Sequence, residues 1–301
     1  MVTTKLIATS YGNAEDVLQF ETQELSPLQI GFARIKVKTA GINPIDARRM
    51  TGEFRHGGLP QTFGTEFAGE IIDLNKEDAQ EFNIGDDVLG SGGSYTHATI
   101  IDVPINNLIK KPSSIDWEIA GSIPGVSQTA STILDEIGPI KSLLIHGGSG
   151  GVGSITIQLA KLRGVEVLAT ASDRNQEYLK NLGAIPVVYG DGLADRIQAL
   201  HPEKFDASVD MIGSEEATQT SLLTVKNTGL ITTIAGKPVS SSRVQNIWVK
   251  RNVNNLKYVV DHIANGKIKW AIDKTFAFTD AIAAYNYILE GHTKGKIVLT
   301  F

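Results

Sequence analysis

The residues most suited to chemistry gather in one short run near the middle of the chain, "HGGSGGVG", His146 to Gly153, five of them glycine. Gly148, Ser149, Gly150, Gly151, Val152 and Gly153 fit the pattern G-x-G-x-x-G. The run follows the apolar segment "SLLI". It opens "SITIQLAKLRG", where Val152, Ile155, Leu159 and Leu162 are spaced for one face of a helix. A strand, a glycine turn and a helix in that order form a dinucleotide-binding fingerprint. Glycine allows the tight turn and lets the backbone approach a pyrophosphate. The helix N-terminus then offers unpaired N–H groups and a partial positive charge to the phosphates. A P-loop would need Lys followed by Ser or Thr after the last glycine, and Gly153-Ser154-Ile155 argues against nucleoside triphosphate hydrolysis. A glycine-rich turn that binds nothing remains the other reading.

The second strand of such a unit selects the dinucleotide. An NAD site carries Asp or Glu at that strand's end to hold the ribose 2′-hydroxyl. In "VLATASDRN" the expected strand end falls at Ala171, with Ser172 and Arg174 close behind. A small neutral residue followed by a hydroxyl and a guanidinium suits a 2′-phosphate, which a carboxylate would repel. Asp173 becomes the ribose acid if the strand ends two residues later; the other reading of Arg174 is an exposed side chain in the first helical turn. The pattern favours NADPH over NADH.

These residues need a scaffold, and the 301-residue chain is long enough for two lobes. Its first part reads as β-rich, through "KLIATSYG", "VLQFETQEL", "ARIKVKTAGIN", "EFAGEIIDLN" and "YTHATIIDV". From Trp117 the rhythm changes. One helical stretch, "WEIAGSIPGVSQTASTILDEIG", leads into strands alternating with helices, the mark of βαβ units and a mostly parallel sheet. The helix "RNQEYLKNLG" stops at Gly183. Near the end, "FTDAIAAYNYILEGH" reads as a helix with Thr279 as N-cap and Gly291 as stop, and "GKIVLTF" as a closing strand. The expected layout is a β-rich lobe over 1–116, an inserted α/β lobe over 117–266, and a return to the first lobe over 267–301.

Composition narrows the partners. With 42% hydrophobic residues, scattered Lys and Arg and a net charge of −5, no nucleic-acid partner is expected. There is no cysteine, which removes disulfides, thiolate nucleophiles and cysteine-ligated metals. The six histidines show no close ligand spacing and read as surface or packing residues. No segment approaches the roughly 20 apolar residues of a membrane span, and "MVTTKLIATSYG" lacks a signal-peptide core, so a cytoplasmic protein is expected.

Seven stretches, in order along the chain, resemble the medium-chain dehydrogenase/reductase superfamily, in its zinc-free quinone oxidoreductase branch. They are "AGINPIDARRMTG", "FGTEFAGEI", "IGDDVLG", "SIPGVSQTA", "HGGSGGVGSITIQLAK", "ATASDRNQEYLKNLGA" and "EGHTKGKIVLTF". The resemblance implies a Rossmann domain, a doubly wound parallel sheet, inserted into a GroES-like catalytic lobe, with the nicotinamide meeting substrate in a cleft between them. It implies a homodimer, for which the edge strand "GLITTIAG" is a candidate. The zinc-ligand positions of metal-dependent members fall at Asn43 and Thr65, so a tetrahedral metal site is not expected. Hydride would then pass to acceptors that delocalise charge themselves, quinones or α,β-unsaturated carbonyl compounds. Enoyl thioesters, or a cofactor-binding protein without turnover, are the alternatives.

The matched motifs supply candidates for a polar contact to the acceptor's oxygen. Asn43 either faces the nicotinamide or, with Asp46, braces the turn after "ARIKVKTAG". Arg48 stands where related reductases often have Tyr, and Met50 where they have Arg, so Arg48 steadies an oxyanion or is a solvated base beside Arg49. Thr65 lines the pocket or only packs. Thr129, and more weakly Ser127 and Gln128, match positions near the nicotinamide carboxamide. Tyr189 sits one place from a tyrosine that reaches the adenosine phosphate. Gly236 lies where the fifth strand should end against the cofactor, or is a turn glycine.

Overall fold

The computed structural model describes residues 1–75, 81–291 and 293–301, which leaves His292, one of the six histidines, outside the described residues. Two compact units result. The first comprises Met1–Gly125, Leu256–Lys267 and Ala271–Phe301, and the second Val126–Asn255 with Ile268–Trp270. Residues 117–125 and 256–266, which the sequence pattern assigns to the inserted lobe, therefore group with the first unit.

In chain order the first unit opens with β1 (Val2–Ala8), α1 (Ala14–Val17), β2 (Leu18–Glu24), β3 (Phe32–Ile42) and α2 (Pro44–Thr51). It continues through β4 (Gln61–Thr62), β5 (Glu66–Asn75), β6 (Asp87–Ser91), β7 (Ile100–Pro104), β8 (Leu108–Lys110) and α3 (Trp117–Ala120). The second unit follows with α4 (Pro124–Ile137), β9 (Ser142–His146), α5 (Gly151–Leu162), β10 (Glu166–Ala171), α6 (Gln176–Asn181) and β11 (Ile185–Val188). Next come α7 (Leu193–Leu200), β12 (Phe205–Asp210), α8 (Glu215–Thr224), β13 (Val225–Thr233) and β14 (Val244–Asn246). The chain closes with α9 (Val253–Ala264), β15 (Ile272–Ala277), α10 (Ala281–Glu290) and β16 (Lys296–Thr300).

The second unit's sheet runs β11-β10-β9-β12-β13-β14, every pairing parallel. Its central strand β9 is buried along its whole length, as expected of a strand inside a parallel sheet, whereas β13 and the edge strand β14 carry exposed polar residues. The first unit centres on a sheet ordered β15-β16-β3-β5-β6-β8, with β7 also on β3, beside a small sheet ordered β2-β1-β4. Buried Leu6, Met50, Phe63, Tyr285 and Leu299 form one core there, and Ile35, Phe67, Ile71 and Val103 a second.

Four local expectations change. The single helix expected after Trp117 is two, because Pro124 begins a new one after the turn at Gly121. The turn expected after "ARIKVKTAG" is a two-turn helix, α2. Pro44 opens it, the Asp46 carboxylate accepts the Asn43 N–H at 2.9 Å, and Gly52 ends it at φ +83°. Thr279 is not the N-cap of α10. It lies inside a short 3₁₀ turn, Phe278–Asp280, and Asp280 takes the cap position, while Gly291 does end the helix. "GLITTIAG" offers no open edge, since β13 lies between β12 and β14 and the edge passes to β14. Among the described residues no helix is long and apolar enough to cross a membrane.

Candidate active site

In the second unit the chain leaves β9 between its two neighbours, β10 and β12, where the strand order reverses direction. Open α/β sheets bind ligands at such a switch point. Gly147 turns at φ +83°, and the Gly148 N–H donates to the Thr170 carbonyl at 2.8 Å, tying the loop to β10. Two of the three fingerprint glycines are demanded by packing. A Cβ at Gly148 would meet the Ala169 Cβ at 2.8 Å, and one at Gly153 the Gly147 carbonyl oxygen at 2.5 Å. Gly150 differs. Its φ of −73° suits any residue, and a Cβ there would meet nothing nearer than the Gly147 oxygen at 3.8 Å. The protein's own packing does not require that glycine, and the open space in front of it is what a pyrophosphate needs. Ser149 is buried beside it, and Gly151 and Val152 begin α5. Of the expected apolar face, Ile155 and Leu159 are buried and Leu162 is 46% exposed.

β10 ends at Ala171, so Asp173 does not stand at the strand end but in the 3₁₀ turn Asp173–Asn175. Ser172 holds the turn's cap position. Its Oγ is buried and has no hydrogen-bond partner among the described residues, and Asn175 Nδ2, one turn on, is in the same state. Two orphaned polar atoms at one strand end carry a desolvation cost that a polar ligand would relieve. Arg174 is exposed between them. These residues fit a ribose bearing a 2′-phosphate.

The remaining cofactor candidates scatter around this end of the sheet. Tyr189 directly follows β11, its N–H reaching the Ala171 carbonyl at 3.4 Å while its ring packs on the core. Gly236, at φ +60°, turns the chain just beyond β13. Thr129 is half-buried in α4. The Gln128 Oε1 accepts the Asn252 N–H at 2.8 Å, whereas the Ser127 Oγ is buried without a partner among the described residues. His146, at the end of β9, bonds the Ser221 hydroxyl at 3.1 Å, and burial pulls its imidazole down to about 4.

In the first unit, antiparallel register assembles the candidates. Ile297 of β16 faces Ile42 of β3, and Ala40 of β3 faces Phe67 of β5. Lys296 thereby comes beside Asn43, and Glu66 beside Gly41. The Lys296 ammonium lies 2.7 Å from Glu66 Oε1, 2.7 Å from Asn43 Oδ1 and 2.7 Å from the Ile42 carbonyl oxygen. Asn43 Nδ2 donates to Glu66 Oε1 at 2.9 Å and to Thr65 Oγ1 at 3.3 Å. Glu66 Oε2 accepts the Gly125 N–H at 2.7 Å. A Cβ at Gly41 would lie 2.4 Å from Glu66 Oε1, so this glycine makes room for the carboxylate.

Asn43 and Thr65 are thus brought together, and Arg48 is held elsewhere on α2. Its Nε donates to Glu53 at 3.0 Å and its guanidinium lies 5.8 Å from the centre of the Phe54 ring. Met50 is fully buried in the core, and Arg49 is buried with its guanidinium 6.0 Å from the Phe63 ring centre. Sequence reasoning passed over Lys296 and Glu66 as site residues. A lysine opening the apolar strand "KIVLT" was the available signal, because a charge within a buried strand needs a partner.

The family described as alcohol dehydrogenase GroES-like domain matches residues 29–113, and that described as zinc-binding dehydrogenase matches 151–269. A 2-methylene-furan-3-one reductase of Solanum lycopersicum is 30% identical over 97% of this chain and 77% of its own length. An NADPH-dependent alkenal/one oxidoreductase, chloroplastic, of Arabidopsis thaliana is also 30% identical, over 97% of this chain and 78% of its own. Among solved structures, a quinone oxidoreductase from Coxiella burnetii covers both chains in full, with a TM-score of 0.89 and 28% identity. The Escherichia coli quinone oxidoreductase complexed with NADPH shares the fold at TM-score 0.87 and 21% identity, over 99% of this chain and 100% of its own. The chain belongs to the medium-chain dehydrogenase/reductase superfamily of oxidoreductases, with an alcohol dehydrogenase GroES-like domain and a zinc-binding dehydrogenase domain of Rossmann type.

Proposed function

We propose that this protein is an NADPH-dependent reductase that delivers hydride, without a metal, to quinones or α,β-unsaturated carbonyl compounds. The observation that carries the reading is the pairing of a glycine that packing does not require, Gly150, with the buried Ser172 Oγ and Asn175 Nδ2, without partners among the described residues, one strand away. Support for the acceptor class comes from relatives named for alkenals, a methylene-furanone and quinones.

Gly148, Ser149, Gly150, Gly151 and Val152 would hold the pyrophosphate at the N-terminus of α5. Ser172 and Arg174 would hold the 2′-phosphate, with Thr129, Tyr189 and Gly236 as further contacts. NADPH, when bound, supplies a transferable hydride at its nicotinamide ring. The chain's own task is to orient the acceptor and stabilise charge developing on its oxygen, for which Asn43, Arg48 and Thr65 are the candidates. Metal-free operation is argued from residue type, because Asn43 and Thr65 bond one another at the two ligand positions. Assembly as a homodimer is part of this reading, with β14, one of the sheet's two edge strands, as a candidate contact, and sedimentation equilibrium tests it.

The deciding experiment follows oxidation of NADPH, with NADH in parallel, against a panel of quinones, enones and enoyl thioesters. Turnover of quinones or enones with NADPH preferred is expected. Equal use of NADH would remove the 2′-phosphate site. Tight NADPH binding with no turnover of any acceptor would make the protein a cofactor-binding sensor.

A further inference from the structure

Bonding around Lys296 separates the three candidate partners for the acceptor's oxygen. The ammonium has three protons, and three acceptors lie at 2.7 Å from it, so it is saturated. Lys296 and Glu66 are both buried, with side chains 4% and 0% exposed. Their charges fix the Asn43 amide in one orientation. Reversed, its NH₂ would face the ammonium and its oxygen the carboxylate, both repulsive. The two Nδ2 protons are then committed to Glu66 and Thr65, and Asn43 has none left for a ligand. Arg48 is directed to Glu53. Thr65 is in the opposite position. An amide NH₂ only donates, so the Thr65 oxygen accepts and its own proton points elsewhere. That hydroxyl makes no other hydrogen bond among the described residues, and Thr65 is half-buried.

We infer that the Thr65 hydroxyl is the hydrogen-bond donor to the oxygen of the acceptor, polarised by the buried Lys296–Glu66 pair through Asn43. The inference rests on the reductase reading above. For an enone, hydride arrives with its electron pair at the β-carbon, the C=C pair moves between the α-carbon and the carbonyl carbon, and the C=O pair moves onto oxygen. The cofactor is oxidised to NADP⁺, and the enone becomes an enolate. Thr65 donates a hydrogen bond to that oxygen and keeps its proton; water protonates the α-carbon. Each donor in the chain from Lys296 strengthens the next, which matters most when negative charge appears at its end. Thr65 touches substrate. Lys296, Glu66 and Asn43 are positioning residues.

The test compares wild type with T65V, T65A, T65S and the charge-neutral pair K296M/E66Q, using NADPH and a series of enones whose product oxyanions differ in basicity. T65V and T65A are expected to lower kcat about 100-fold, with acceptor KM and NADPH affinity by fluorescence within about twofold of wild type. The loss should grow with oxyanion basicity, and T65S should restore most of the rate. K296M/E66Q, checked for folding by circular dichroism, should show the same trend at smaller amplitude. Wild-type kcat in T65V or T65A, or an equal loss across the whole series, would assign Thr65 to packing and overturn the inference. Turnover by wild type with T65A unaffected overturns this inference alone, whereas a wild type that reduces no acceptor overturns the reductase reading and the inference together.

Discussion

At the scale of single residues, glycines that look alike in sequence have different duties. Gly153 is needed by the fold, since its missing Cβ admits the Gly147 carbonyl, and Gly150 is not. Gly150→Ala should therefore leave the melting temperature unchanged while weakening NADPH binding about tenfold or more, measured by fluorescence titration. Gly153→Ala should lower stability by about 2 kcal/mol in urea titration, because α5 must lift from the loop. Ser172 and Arg174 differ in the same way. Ser172 brings a buried hydroxyl with no partner among the described residues, and Arg174 an exposed side chain. Arg174→Ala should raise the KM for NADPH about tenfold with the KM for NADH nearly unchanged, the loss of a charge-assisted contact to the 2′-phosphate alone.

The elements decide how those side chains are held. Helix α2 is short, yet its start is tied at both ends of one buried carboxylate. Asp46 Oδ2 accepts the Asn43 N–H at 2.9 Å, and Oδ1 accepts the Gly64 N–H at 3.1 Å. The end of β3, the start of α2 and the turn before β5 thus share one anchor, which sets Asn43 and Thr65 side by side. Asp46→Ala would strand two backbone donors, the buried Gly64 N–H and the part-buried Asn43 N–H, and should cost about 3 kcal/mol by chemical denaturation. Much of this was legible beforehand. The sequence "NPID" followed by "MTG" carries a proline-opened, glycine-closed helix, and its eight residues escaped notice because a turn uses the same Asx bonding. Thr279 was misread for a related reason, since Thr and Asp both suit a helix start and the 3₁₀ turn moved the cap one residue on.

Across the whole molecule, buried histidines link stability to pH. Burial pulls His146 from 6.5 to about 4, and burial likewise lowers His97. His97 Nε2 faces the Gly41 carbonyl at 3.2 Å, so it donates there, and Nδ1 accepts from the Tyr285 hydroxyl at 2.9 Å. Both rings are neutral in the folded state. The unfolded chain takes up these protons at higher pH than the folded chain does, so stability is full above the unfolded value and is lost as pH falls. For His146 alone the window runs from 6.5 down to about 4, and the loss is about 3 kcal/mol. Melting temperatures measured across that range should fall with pH, and His146→Gln should flatten the slope.

By itself the sequence determined the glycine fingerprint, the alternation of strands and helices and, with no cysteine present, the lack of any thiol chemistry. The first two are written in residues within about one βαβ unit of each other, where spacing and local propensity act directly, and the third in composition alone. Tertiary structure alone decided the rest. Lys296 meets Asn43 across 253 residues of sequence, and Asn43 meets Glu66 across 23. Only the registers of β16 and β5 on β3 bring them together. A buried ion pair is stable when every donor and acceptor is matched at close range, and that matching exists only once the three strands are in place.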